Sequence, residues 1–447
     1  MSKFWVGCLV GASSARSVRA RLPRFRPTRA LWLALGAAAL ALASPGFAQT
    51  NWAQTNFGPG HASYNAQETT ISPSNVSQLQ FLWGQSVAGG VTSFVLYEGT
   101  IYAQGQGTGS PQEPNLAAID AATGAALWTV TTGNFGDGLT SSYTIAANGS
   151  LVFAGCGFSS SGGSGGDNYG GICAYNGQSG KLHWHYANPC NCLPESEVIA
   201  PLTYADGVVY FGYGYGGSGG SEYLVAADAK SGAVLWTYVT GTSNTMGSAA
   251  PVVGNGMVYF TCGGNDFSGV CAVSTSTHDI AWSANFGTSS MGLTLAGDVL
   301  YVNGGGAGEF AALNATSGDS LWTVEGNSAE YPVSVAASVI YATGSDGYVH
   351  ALRAHDGSEK WSLFLASQSS VSLANGVLYD DQQGSNNPPT EAYSMKNGAP
   401  LWSVPGGAST VHPPAIIANG TLYIGNGACG VVCAYVLPTE STVAARR

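Results

Sequence analysis

Two cysteines one residue apart are followed closely by two carboxylates in the stretch His185-Tyr-Ala-Asn-Pro-Cys190-Asn-Cys192-Leu-Pro-Glu195-Ser-Glu197. Thiols at that spacing can form a redox couple, supply half of a metal site, or close a small ring that staples a loop. His183 and His185 flank Trp184 and fall on one side of a strand. That pair can ligate a metal, although an outward-facing pair on an outer strand explains it as well. Asp167 with Asn168, Asp266, and Asp380 with Asp381 offer oxygen donors for a divalent cation. None stands in the spacing of a known calcium loop, and solvated turns account for them. Ser, His and Asp are otherwise scattered with no nucleophile-elbow sequence, so hydrolysis has no support.

The elements that must position these groups start after a leader. Residues 1–48 hold seven of the 14 Lys and Arg residues and no acid, and include the run ALWLALGAAALALA from Ala30 to Ala43. A basic start, a short apolar core and small residues before a cut after Ala48 read as a secretory signal peptide. The apolar core is shorter than the ~20 residues a membrane span needs. The expected order is a signal peptide over 1–48, an N-terminal segment over 49–78, a repeat region over 79–437 and a tail over 438–447. The mature chain is expected in the periplasm or outside the cell, with no membrane span. It keeps seven basic side chains against 25 acidic ones, a formal charge of −18. That balance argues against nucleic acid or anionic lipid as partners and leaves cations and basic or neutral partners.

A repeat organises the rest. Trp83, Trp128, Trp184, Trp236, Trp282, Trp322, Trp361 and Trp402 recur, and seven of the eight end one pattern: Ala, nine residues, Trp, usually with Gly four before the Trp. Ala118-Ile-Asp-Ala-Ala-Thr-Gly124-Ala-Ala-Leu-Trp128 is one copy; the copy ending at Trp282 has His278 in place of the Gly. Each copy reads as strand, tight turn, strand, and upstream runs such as GVVYFG add two more strands. A four-stranded sheet cannot bury both faces alone, so the units must stack around an axis. The expected fold is all-β, an eight-bladed β-propeller of four-stranded antiparallel blades, with seven blades as the fallback. The last strand-three segment, Cys433-Ala434-Tyr435, has no Trp after it, and Trp83 has no such strand before it. The strand around Leu79–Gly84 is therefore expected to complete the last blade and close the ring. The tryptophans dock one blade on the next.

The Ala…Gly…Trp repeat resembles that of the pyrroloquinoline-quinone (PQQ)-like propeller superfamily, and Asn51–Trp83 is similar to N-terminal segments of that group. The resemblance implies the fold; for function it points two ways, to quinoprotein alcohol dehydrogenases and to non-catalytic scaffolds resembling the assembly lipoprotein BamB. In a propeller the two-to-three loops and the links between blades share one face, where sites are built. That face is expected to carry Glu113, Asp137, Asp167, Glu195, Glu197, Glu222, Asp266, Glu330, Asp380 and Asp381. Lys181, Lys230, Lys360 and Lys396 fall at or beside three-to-four turns on the opposite face, and Arg353 within a third strand. A tricarboxylate quinone with Ca²⁺ needs cations around it. There is also no adjacent Cys-Cys pair and no Cys-x-x-Cys-His. The expectation is a monomeric, non-catalytic binding or scaffold protein with a protein or glycan partner in the envelope. Glu195, Glu197, Tyr169, Tyr213 and Tyr215 are its candidate contacts. The alternative is a PQQ- and calcium-dependent dehydrogenase acting on alcohols or sugars.

Eight cysteines remain after the leader. Aligned repeats put Cys156 and Cys262 on second strands, and Cys173, Cys271 and Cys433 just before the Ala of third strands. Cross-hairpin pairs Cys156–Cys173 and Cys262–Cys271 follow, with Cys429–Cys433 closing a shorter loop. Cys190 and Cys192 are left for each other, as a staple in the bland reading and a redox pair in the sharper one.

Overall fold

Eight sheets carry the chain in a computed structural model. It describes residues 50–88, 90–105, 115–132, 144–159, 168–186, 196–215, 221–242, 249–264, 267–287, 291–304, 308–325, 331–365, 371–381, 389–406, 413–425 and 432–438. Each sheet contains a blade of four antiparallel strands, taken in chain order in blades one to seven. In blade one they are Val91–Tyr97, Thr100–Gly105, Leu116–Asp120 and Ala126–Val130. Blade eight runs Ile416–Ala418, Thr421–Gly425, Val432–Val436, and its outer strand is Gln80–Gln85 from the start of the repeat region. Trp83 stands opposite Ala434 in that pair, so the ring closes as expected and leaves no free blade edge between its two ends. Inner and second strands are buried on both sides and read as apolar runs. Outer strands alternate, as Ser320–Glu325 does.

The repeat pattern has a packing cause. The Ala ten residues earlier stands directly opposite the Trp across the third and outer strands, as Ala118 does to Trp128 and Ala312 to Trp322. The indole then reaches the next blade: Trp83 Nε1 donates to Ala121 O at 3.2 Å, Trp184 Nε1 to Ala229 O at 2.9 Å and Trp322 Nε1 to Ala354 O at 2.9 Å. The Gly of the next blade's turn lies beneath that ring. Gly124 has φ +73°, and a Cβ there would stand 2.6 Å from the Trp83 ring. Both the left-handed backbone and the ring require glycine. His278 manages without it at φ 63° because its own ring stacks on Trp236, centroids 5.0 Å apart and planes 24° off parallel. In six of the seven turns the opening residue is Asp, Asn or Ser and its side chain caps the turn; blade six opens on Arg353, and there Asp356 Oδ1 accepts from Ser358 N at 2.9 Å. Asp120 Oδ1 accepts from Thr123 N at 2.8 Å and from the Thr123 hydroxyl at 2.7 Å, which holds its pKa below the usual carboxylate value.

One feature is not written in the repeat. Thr50–Asn65 lies across one end of the central channel and bonds the inner strand of every blade in turn. Trp52 exchanges backbone bonds with Leu96 of blade one at 2.8 and 2.9 Å, and Ala53 O accepts from Ala147 N of blade two at 2.8 Å. The Gln54 amide pairs with the backbone of Tyr204 in blade three, at 3.1 and 2.9 Å. Pro59 O, Gly60 O, Ala62 O and Ser63 O accept from Val253, Leu295, Val335 and Leu373 of blades four to seven at 2.8–2.9 Å. Asn65 Nδ2 donates to Ile417 O of blade eight at 2.7 Å. All these partners are at the ends of inner strands that lead into the one-to-two hairpins. The segment therefore floors the channel at the hairpin face, opposite the two-to-three loops. Its path needs positive φ at Asn56, Phe57, His61 and Ser63 (60°, 84°, 56° and 48°). Tyr64–Asn65 also pairs in parallel with Ser372–Ala374 of blade seven.

Candidate functional site

The floor closes the hairpin end of the channel, and the two ends differ in cations rather than in acidity, since the hairpin face carries Glu98, Asp120, Asp206, Asp228, Asp279, Asp298, Asp319 and Asp356 as well as every described Lys and Arg. Lys181, Lys230, Arg353, Lys360 and Lys396 sit in three-to-four turns, in the last residue before one, or in the first residues of an outer strand. All belong to the hairpin face, Arg353 included, whose Nη1 donates to the Ser358 hydroxyl at 2.9 Å. Among the described residues the loop face holds no Lys or Arg. It holds Glu222 at the start of a third strand of blade three, Glu309 directly opposite Glu325 at the mouth of blade five, Asp346 in the two-to-three turn of blade six, and Asp380, Asp381 and Glu391 in blade seven.

Blade seven departs from the expectation of solvated turns. Asp380 and Asp381 end the second strand, Val377–Asp381, and both are buried. The equivalent of Asp380 is Ala103 in blade one, Val302 in blade five and Ala342 in blade six. A position that the repeat keeps apolar here carries a carboxylate. Asp380 faces Glu391 across the ladder, an opposition of like charges that a sheet tolerates poorly. Hydroxyls offset it: Tyr393 donates to Glu391 Oε2 at 2.6 Å and Thr390 to Asp381 Oδ1 at 2.7 Å. Burial first, then its bond to Glu391, raises the Tyr393 phenol above its ordinary range, so it stays a donor.

Of the candidate contacts, Tyr213 turns inward. It is buried, and its ring meets Tyr186 edge-on at 5.6 Å. Asn168, Tyr169, Glu197 and Tyr215 lie on strands of blades two and three near the loop face. Asp167, Cys190, Cys192, Glu195, Asp266 and Cys429 lie outside the described residues. Cys156 is bonded to Cys173 and Cys262 to Cys271, each pair across the second and third strands with Cα atoms 5.8 Å apart. Cys433 is also disulfide-bonded. His183 and His185 are both exposed, and His183 Nε2 bonds Lys230 O at 3.0 Å.

Sequence reasoning missed two aromatic residues. Tyr348 and Phe364 meet at the loop-face end of blade six, centroids 5.1 Å apart, 38% and 58% exposed. Behind them His350 bridges two carboxylates, with Nδ1 2.8 Å from Glu359 Oε2 and Nε2 3.4 Å from Asp346 Oδ1. The available signal was an aromatic residue at an exposed outer-strand position of a repeat. Such a platform beside carboxylates suits a cation or a flat apolar face. Among the described residues no group of three or more His, Cys, Asp and Glu is placed to hold a metal ion, and no helix is long and apolar enough to cross a membrane.

Fold and loop face together define a PQQ-like eight-bladed propeller whose described Lys and Arg all lie at the hairpin end. A family model described as outer membrane protein assembly factor BamB matches residues 62–323, more than half of the chain, and the chain belongs to that family. No curated protein matches it at a significant level. Among solved structures, the quinohemoprotein alcohol dehydrogenase of Comamonas testosteroni is similar over 87% of this chain and 80% of its own, with 14% identity and a TM-score of 0.68. A europium-containing methanol dehydrogenase is similar over 85% and 90%, with 12% identity and a TM-score of 0.66. BamB from Moraxella catarrhalis, at 18% identity over 84% and 96%, reaches a TM-score of only 0.46. At these identities the two dehydrogenases speak for the fold alone.

Proposed function

We propose that this chain is an exported, non-catalytic recognition propeller whose loop face takes a basic segment of a partner protein in the envelope or outside the cell. The observation that carries the reading is that every described Lys and Arg is at the hairpin face, where acids accompany them, so the charged side chains described at the loop face are acidic alone. The Tyr348–Phe364 platform beside Asp346 adds a surface on which a cation can rest. Export rests on the leader, and the disulfides agree with an oxidising compartment. The family description supports an envelope role by kinship.

The dehydrogenase alternative meets an obstacle in the donor set. A quinone with three carboxylates placed on the open end of the channel would face Asp380, Asp381, Glu309 and Glu325 with no described cationic side chain to offset them. The residues present do not fit that group. The test of the proposal is binding of a fluorescent oligolysine peptide to the mature protein, read by anisotropy across a salt series. Salt-sensitive binding, weakened by Glu309→Gln with Glu325→Gln and by Asp346→Asn, is expected. No binding, or equal binding of oligoglutamate, would overturn it.

A further inference from the structure

We propose that the groove between blades two and three on the hairpin face is a second binding site, for a neutral sugar. Its cavity is about 460 Å³ and is lined by Asn148, Asn176, His183, Asp228, Lys230 and Leu151, with the backbone of Gly207 and Ala229. That volume falls in the ~300–1,000 Å³ range of small-molecule sites.

The neighbouring blades show how this groove was made. By ladder register the residues at the same three positions are Tyr97, Asp120 and Leu127 in blade one and Ala205, Asp228 and Leu235 in blade three. Each of those sets has one acid and a leucine. Blade two has Asn148, Asn176 and His183 instead. Blade two thus exchanges the acid for an amide and the leucine for an imidazole, and adds a second amide, which makes the groove neutral and polar on that side.

The hydrogen bonds fix what each side chain has left to offer. Asn148 Oδ1 accepts from Ser150 N at 3.2 Å and Leu151 N at 2.9 Å. Asn176 Oδ1 accepts from Gln178 N at 3.1 Å, Ser179 N at 3.0 Å and the Ser179 hydroxyl at 2.9 Å. Both amides therefore contribute their NH₂ groups. A carbonyl can only accept, so His183 Nε2 carries the proton it shares with Lys230 O, and in the neutral ring Nδ1 remains an acceptor. The bonds from Ser231 hold the Asp228 pKa below the usual carboxylate value, so it stays ionised. It balances the Lys230 ammonium. The groove thus combines two amide donors, one ammonium, one carboxylate and one ring acceptor over the apolar Leu151 and Ala229. Vicinal hydroxyls, each donor and acceptor, match that set; an anion would gain Lys230 but face Asp228.

Saturation-transfer NMR on the mature protein with glucose, N-acetylglucosamine and glucuronate tests this. The neutral sugars are expected to give signals. His183→Leu and Asn176→Asp should each cut them about five-fold per hydrogen bond lost. These variants copy residues that the flanking blades already carry, so thermal midpoints near that of the parent should accompany the loss. Signals that persist in both variants, a stronger response to glucuronate, or no signal from either neutral sugar would overturn the site.

Discussion

His61 Nε2 lies 3.0 Å from the hydroxyl of Thr203, which itself donates to Pro251 O at 2.6 Å. The ring must then be the donor, and one buried chain of bonds ties the N-terminal segment to blades three and four. His61 is buried, which lowers its pKa from 6.5 to about 4.

That bond sets a pH dependence. Below its ordinary pKa the unfolded chain protonates this ring while the folded chain does not. Its contribution is complete above about pH 6.5 and is lost as pH falls to about 4, by about 3 kcal/mol in all. Urea midpoints measured across that window should fall for the parent and fall less for His61→Gln, which starts lower. An identical slope in both proteins would contradict the assignment.

The floor segment should act as a clamp on the ring. A chain beginning at Gln67 loses a bond to the inner strand of each blade, at ~1 kcal/mol apiece, and its thermal midpoint should drop by roughly 10 °C. Calorimetry decides; an unchanged midpoint would mean that strand pairing between the chain's two ends suffices.

Turn glycines and their tryptophans predict an asymmetry. Gly124→Ala adds a Cβ at φ +73° and 2.6 Å from the Trp83 ring, and should cost at least ~2 kcal/mol. His278→Gly gives up the stack on Trp236 but gains the usual turn residue, and should change stability by less than ~1 kcal/mol. Equal losses in denaturant melts would count against the packing rule.

Removing one top-loop staple should be costly without being fatal. Cys262→Ser with Cys271→Ser opens a hairpin whose cysteines are nine residues apart, for a loss of ~2–3 kcal/mol on the chain-entropy argument. Far-UV spectra should stay those of a propeller, since the strands on either side are paired independently of the bond.

The blade count and the closing strand were legible because Ala, Gly and Trp each answer to a local packing demand that repeats. Trp83 without its own third strand, and Ala434 without its own Trp, named each other as partners. The floor was not legible. Thr50–Asn65 touches each blade through about one bond, in a path of left-handed turns, so it carries neither alternation nor a repeat. Gly60 was the nearest thing to a signal: a Cβ there would meet Leu295 O at 2.5 Å. The acidic face was readable from loop positions, but the burial of Asp380 and Tyr213 was not. Asp380 is a carboxylate at a position the repeat fills with apolar residues, and Tyr213 lies just beyond that run, where only the ladder decides which side is in.

The most direct measurement is calorimetric titration of the mature protein with PQQ in the presence of Ca²⁺, followed by dye-linked oxidation of ethanol and glucose. A face that offers carboxylates and no described cation should give no stoichiometric binding and no dye reduction. Tight one-to-one binding of the quinone with alcohol-dependent dye reduction would contradict the reading of this propeller as a recognition module.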